Sequence, residues 1–211
     1  MVTVVFVSRS KYYYVVDGEK FPRVTKVLDI IAKPEFYHWY SKFGWKKCEE
    51  IKTRRADFGT MAHSMFEKYL FGLPLDVLDD EMLESLNIFA NWVHNFDVVP
   101  LQSEIRLVSK KHRYAGTCDF VGMVKGRRLI GDWKTSKKVY YAYPLQLAAY
   151  LVAYEEIYDT KLDGGFILCI RDGSFIYEEF SRDELLQLFE VFKAALLIFS
   201  HKFRSGIWET A

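Results

Sequence analysis

Asp132 and Lys134 stand two residues apart in the stretch Leu129 to Lys137, where an apolar run gives way to a polar one. In an extended strand, residues i and i+2 share a face. An acid and an ammonium would then sit side by side where a buried strand meets solvent. That pairing suits metal-assisted hydrolysis, in which the carboxylate holds a divalent cation and the lysine orients or deprotonates the attacking water. Alone, the triplet is common. Its weight comes from its company: Glu104 and Asp119 upstream, His63 in a helical stretch, and Gln146 with Tyr150 downstream.

The elements that must position these residues follow from periodicity and turn signals. Val2–Val7 and Tyr12–Val16 read as short strands of a hairpin around Arg9, Ser10 and Lys11. Thr25, shortly after Pro22, is expected to cap a helix running into Ile31. Glu35 to Leu70 reads as mostly helical, with breaks near Pro34, at Gly44 and around Asp57–Gly59. Asp80–Phe96 carries Met82, Leu83, Leu86, Phe89, Ala90 and Val93 at helical spacing. After Pro100, three strands are expected: Leu101–Val108, Tyr114–Val124 and Arg127–Trp133. Lys125-Gly126 makes the tight turn between the last two. A helix over Pro144–Tyr158 follows, then strands Gly165–Ile170 and Phe175–Phe180 around Asp172-Gly173. A final helix is capped by Ser181, with Asp183 and Glu184 favourable in its first turn. This order predicts an α+β (mixed α/β) fold with one central sheet and helices packed over it.

On this map Glu104, Asp119 and Asp132 fall on three consecutive strands, whose neighbours across one face lie within a few ångströms. Carboxylates so placed repel one another unless a cation or a proton intervenes. Oxygen ligands with open water positions describe a Mg²⁺ or Mn²⁺ site. Taken singly, each acid is an ordinary strand-end charge. His63 has Ala62, Met65 and Phe66 beside it, so its side of the helix is expected to lie against the sheet, within range of the acids. Gln146 and Tyr150, one helical turn apart, share a face and could hydrogen-bond a phosphate or a base.

The chain has 211 residues, half of them apolar, and a formal net charge of +1. That describes one folded domain with a sizeable core and excludes a disordered chain. The charge is unevenly spread. Arg106 to Lys138 holds ten Lys/Arg against Asp119 and Asp132, and Lys42 to Arg55 holds six against Glu49 and Glu50. Two basic zones flanking the acidic motif suit a polyanionic partner. Cys48, Cys118 and Cys169 are isolated and odd in number, which fits a reducing compartment without a disulfide framework or C-x-x-C zinc site. The apolar start, Met1–Val7, is too short for a signal peptide or a membrane span, so an intracellular protein with no membrane partner is expected.

The ordered set His63, Glu104, Asp119, Asp132-x-Lys134, Gln146-x-x-x-Tyr150 resembles the PD-(D/E)XK nuclease superfamily. Within it the set is most similar to the RecB-type exonuclease branch, with the mitochondrial genome maintenance exonuclease and related phage and viral exonucleases. The likeness spans Phe21 to the last helix. It rests on Phe21–Leu28, Gly59–His63, Gly116–Asp119, Ile130–Ser136 and Pro144–Tyr150. It implies a single nuclease domain over 1–211 with a restriction-endonuclease-like core. Its parts would be an N-terminal hairpin (1–20), a helical part (21–100), the catalytic sheet (101–180) and a C-terminal helix (181–211). It implies that Asp119, Asp132, His63 and the Trp133 carbonyl hold Mg²⁺ or Mn²⁺. Lys134 would activate the water, and Glu104 would be the acid of the first core strand. Gln146 and Tyr150 would contact the substrate, and Thr135, Ser136 and Lys137 would line the DNA backbone.

One departure is informative. Some members of this branch hold an iron–sulfur cluster on four cysteines, three of them near the C-terminus; here there are three cysteines in all and none in the C-terminal tail, so no cluster is expected. No phosphate-binding Gly-x-x-x-x-Gly-Lys loop appears, so a stand-alone nuclease is expected rather than a helicase fusion. The expectation is a monomeric, metal-dependent DNA exonuclease acting on single strands with a free end, in repair, recombination or replication, of a phage, viral or prokaryotic kind. The competing expectations are a duplex or structure-specific endonuclease of the same superfamily and a non-catalytic nucleic-acid-binding module. The complete set of acids with Lys134 counts against the latter.

Overall fold

The computed structural model describes residues 6–31, 34–76 and 79–204. In chain order these form β1 (Phe6–Arg9), β2 (Tyr13–Val16), β3 (Glu19–Pro22), α1 (Val24–Leu28), α2 (Pro34–Phe43), α3 (Trp45–Leu70) and α4 (Asp80–Asn95). The second half runs β4 (Val99–Ser109), β5 (Tyr114–Val124), β6 (Arg127–Lys134), α5 (Ala142–Tyr158), β7 (Gly164–Arg171), β8 (Ser174–Ser181) and α6 (Arg182–Arg204). The fold is α+β, with a central mixed sheet.

That sheet has the order β4-β5-β6-β7-β8. All its pairs are antiparallel except β6 with β7, which α5 connects as a crossover. β6 is central and buried from Leu129 to Trp133, as expected of a strand covered on both faces. One face packs on α1, α5 and α6 through residues such as Ile130, Ile167, Leu147 and Phe192. The other packs on α3 and α4 through Phe66, Phe89, Trp92, Phe120, Trp133 and Phe166. α5 is buried on most of its circumference, from Leu145 to Leu151 without interruption, because it lies between the sheet and α6. A helix apolar all round belongs in such a layer.

β1, β2 and β3 form a separate antiparallel sheet, whose Tyr14, Val16 and Phe21 pack on Val108 and Ala115 of the main sheet. The expected hairpin is therefore a three-stranded meander. Asp17 and Gly18, both at positive φ (50° and 78°), make the tight turn that adds β3. Of the expected first strand, Val2–Val7, residues 2–5 lie outside the described residues.

Two helix boundaries differ from expectation. Arg23 is the N-cap of α1, with extended backbone and no side-chain cap bond; Thr25 is already inside the first turn. The break at Gly44 is present, with φ 79°, but α3 passes through Asp57–Gly59 unbroken. Gly59 has a tertiary cause instead: a Cβ there would stand 3.3 Å from the Thr135 hydroxyl. Ser181 does cap α6. Its hydroxyl accepts the Glu184 N–H at 3.3 Å while the Glu184 carboxylate accepts the Ser181 N–H at 2.7 Å, a reciprocal capping box.

Candidate active site

The site lies where β5 and β6 part. Their ladder runs from Val124–Arg127 to Phe120–Gly131 and goes no further. The next backbone donor on β6, the Trp133 N–H, is taken by the Asp119 carboxylate at 2.8 Å. A side chain thus replaces a ladder bond, and the fork it holds open exposes a floor of polar groups between the helical layers. The cleft above this floor has a volume of about 790 Å³. His63, Glu104, Asp119, Asp132, Lys134, Gln146 and Tyr150 all line it.

The sequence dictates which way each side chain points. Trp133 faces the α3–α4 layer, where Phe66, Phe89, Trp92, Phe120 and Phe166 surround its ring at 5.2–6.5 Å. With that indole anchored, strand alternation turns Asp132 and Lys134 to the opposite face, towards α5. There they form an ion pair in which Asp132 is 1% exposed and Lys134 16%. Gln146 of α5 ties the pair down: its Nε2 donates to Asp132 Oδ1 at 3.0 Å and its Oε1 accepts from Lys134 Nζ at 3.3 Å. The same Nε2 donates to the Tyr150 hydroxyl at 3.0 Å. Tyr150 fits because residue 116 is glycine; a Cβ there would lie 2.5 Å from the Tyr150 ring. The Tyr143 ring lies 4.9 Å from Lys134 Nζ, a cation–π distance.

A second group faces these. His63, from the middle of α3, places Nδ1 3.3 Å from Asp119 Oδ1. Glu104 lies on β4 between the pairs Ser103–Phe120 and Ile105–Cys118, hence beside Asp119. It adopts φ 48° in mid-strand, a conformation uncommon for a side chain other than Gly, Asn or Asp. One ligand atom each from His63, Glu104 and Asp119 falls within 4.8 Å of the others.

The electrostatics reflect this crowding. Burial pushes the Glu104 carboxyl up, and the Asp119 charge adds to it, to about 7. Burial likewise raises Asp132, with Asp119 contributing and Lys134 opposing. Burial would raise Asp119 too, but the His63 imidazolium, Lys134 and the Trp133 N–H outweigh it and hold that carboxylate low. His63 and Lys134 are disfavoured as cations by burial, yet the facing carboxylates win and both rise. Carboxylates driven towards protonation beside an imidazole form a donor set that a hard divalent cation relieves.

The three residues after Lys134 do not line the cleft. Thr135 abuts Gly59. The Ser136 hydroxyl lies 3.5 Å from Cys169 Sγ and donates to the Lys138 carbonyl at 2.9 Å, and Lys137 pairs with Asp172. Gln146 and Tyr150 are buried rather than displayed on a helix surface. Sequence reasoning missed Glu67 and Arg23, both on the cleft wall. Glu67 follows His63 by one helical turn, a spacing that places it on the same side. Arg23 closes a parallel bridge with Ala115, a tertiary contact that leaves no local signal.

No family model and no curated protein matches this chain. Among solved structures it is similar to an alkaline exonuclease, LHK-Exo, from Laribacter hongkongensis. The identity is 11% and the TM-score 0.40, over 90% of this chain and 94% of that one. The same enzyme in complex with dAMP gives 12% and 0.40, over 69% and 80%. A structure titled SSO0001 gives 14% and 0.38, over 81% and 73%.

Proposed function

We propose that this chain is a metal-dependent deoxyribonuclease that hydrolyses phosphodiester bonds from free ends of single-stranded DNA. It would work as a monomer of one nuclease domain of the RecB-type branch, in repair, recombination or replication. The observation that carries the reading is the convergence of His63, Glu104 and Asp119 within 4.8 Å, beside the Asp132–Lys134 pair on the floor of an open cleft. The basic zones at Lys42–Arg55 and Arg106–Lys138 supply the attraction for a phosphate backbone.

His63, Glu104 and Asp119, with Asp132 adjoining, would hold Mg²⁺ or Mn²⁺. Such an ion lowers the pKa of bound water and stabilises charge on the phosphoryl oxygens. The rest falls to the protein. Lys134, kept protonated by Asp132 and Asp119, acts as a fixed positive charge facing the charge that develops in the transition state. Gln146 locks the Lys134 ammonium and the Asp132 carboxylate in register through both ends of its amide, and Tyr150 fixes Gln146 in turn. Glu104, which burial and the Asp119 charge push up to about 7, must give up its proton to join this donor set, so the site is completed as pH rises through neutrality.

The reading is tested by digesting linear and circular single-stranded DNA with purified protein, in Mg²⁺ or EDTA, beside Lys134→Ala. Metal-dependent loss of the linear strand alone, absent in the variant, is expected. Cutting of the circle would replace it with an endonuclease. DNA binding without cleavage in either condition would leave a binding module.

A further inference from the structure

α3 carries a second feature on the side that bears His63. Trp45, its first residue, is 71% exposed. One face of its indole stacks on Tyr40 of α2, with ring centroids 4.8 Å apart and planes at 19°. Tyr40 is itself fixed: Lys52 Nζ donates to its hydroxyl at 3.0 Å and that hydroxyl donates to Glu49. The outcome is a braced aromatic ledge beside a hollow of about 640 Å³, lined also by Lys46, Thr53 and Arg54 and by the acids Glu49, Glu50 and Asp57. A large aromatic ring held rigid with one face bare is costly to expose to water, and it is the arrangement on which an unpaired base stacks.

Position on the helix links the ledge to the catalytic cleft. Trp45 and His63 are 18 residues apart, about five turns of 3.6 residues, so they share one azimuth about 27 Å apart. Between them on this side Glu49 and Lys52 stand next to the ledge, tied to Tyr40, and the small residues Ala56, Gly59 and Thr60 follow and line the cleft itself. The helix surface is therefore low over about the last two turns before the cleft, from Ala56 to His63. Lys42 to Asp57 carries six basic residues against three acids. Glu49 is already paired with Lys52, and Arg55 with Glu81, leaving Lys42, Lys46, Lys47 and Arg54 against Glu50 and Asp57 without ion pairs among the described residues.

We infer that Trp45, braced by Tyr40, is a stacking subsite for an unpaired base of a nucleic-acid strand whose other end lies in the cleft. The inference rests on the nuclease reading for the strand's identity. At a stacked rise of ~3.4 Å per nucleotide, the separation corresponds to about eight nucleotides, and to about four when the strand is pulled to twice that rise.

The test measures equilibrium binding by fluorescence anisotropy in Lys134→Ala protein, so that nothing is cut. The probes are labelled dT20 and an abasic 20-mer of the same length and charge. Adding Trp45→Ala should weaken dT20 binding roughly tenfold and the abasic strand less than about twofold, while Trp45→Phe recovers most of the loss. A circular-dichroism melt checks that the variants are folded. Equal weakening of both probes, or no change in either, would overturn the stacking subsite and leave the nuclease reading standing. Failure of the unsubstituted-Trp45 protein to bind either probe would overturn both.

Discussion

The Asp119 carboxylate accepts the Trp133 N–H at 2.8 Å through Oδ2 while Oδ1 faces His63 at 3.3 Å. One side chain therefore props open the β5–β6 fork and supplies charge to the site. The two roles separate by substitution. Asn keeps an oxygen for the Trp133 N–H but loses the charge; Ala loses both and leaves a buried N–H unpaired. Both variants should be inactive, and Asp119→Ala should be less stable than Asp119→Asn by about 1–3 kcal/mol, read from urea denaturation. Equal stabilities would mean the carboxylate does not hold the fork.

Glu104 titrates in the working range. Its carboxyl is raised from 4.5 to about 7 by burial and the Asp119 charge. Between those values the folded state binds more protons than the unfolded chain, so stability contributed here is present below about pH 4.5 and is lost as pH rises through 7. Glu104→Gln, which cannot ionise, should raise the melting temperature of metal-free protein at pH 8 more than at pH 5. A gain independent of pH would mean that ionisation of the Glu104 carboxyl does not set it.

How far the sequence carried follows from the range of each signal. The strand and helix order was legible because turns and periodicity are local: Lys125-Gly126 and Asp172-Gly173 mark hairpins that the structure contains. The equivalent Asp17-Gly18 signal was present too, but the short, polar Glu19–Pro22 lacks strand alternation, so β3 went unread. Gly59 looked like a helix break because its cause, the Thr135 hydroxyl, is 76 residues away in sequence. The i, i+2 logic placed Asp132 beside Lys134. It could not foresee that Gln146 would spend its amide on that pair instead of facing outward, since this depends on how deep α5 lies.

Divalent binding should be visible without catalysis. A ligand that binds only the folded state at a hundred times its Kd adds about 2.7 kcal/mol, or ~5–10 °C for a domain of this size. Mg²⁺ or Mn²⁺ should shift the melting temperature of the unsubstituted protein by that order, and the shift should shrink in His63→Ala and vanish in Asp119→Ala. Because bound cation requires ionised carboxylates, affinity should rise from pH 6 to 8 as Glu104 loses its proton. A shift equal in all three proteins would place the cation elsewhere.

The approach of Tyr150 to Gly116 gives a steric test. A methyl at residue 116 would meet the ring at 2.5 Å and the Val24 side chain at 3.3 Å, in a region where both neighbours are buried. Gly116→Ala should cost about 1–3 kcal/mol. By displacing Tyr150 it should also loosen Gln146 and lower the hydrolysis rate. Tyr150→Phe removes only the hydroxyl that Gln146 engages, so it should lower the rate with a smaller loss of stability. Activity unchanged in both would remove Tyr150 from the chain of supports beneath Lys134.

The Asp132–Lys134 pair separates charge balance from chemistry. Asp132 is almost wholly buried and Lys134 nearly so, so taking away the ammonium strands a carboxylate whose other partners are the Gln146 amide and the repelling Asp119. Lys134→Met should therefore destabilise the protein by about 3–5 kcal/mol at pH 8, where Asp132 must ionise. The loss should be smaller at pH 5, where it can take up a proton. Replacing both, Asp132→Asn with Lys134→Met, removes the uncompensated charge and should recover most of that stability, since exchanging a whole buried pair for neutral groups is often neutral or better. Activity should not follow: either substitution alone and the two together should each lower hydrolysis by several orders of magnitude. Such an outcome would show a pair kept for chemistry at the expense of stability. Recovery of activity along with stability in the double variant would mean that the pair serves only to keep the fold.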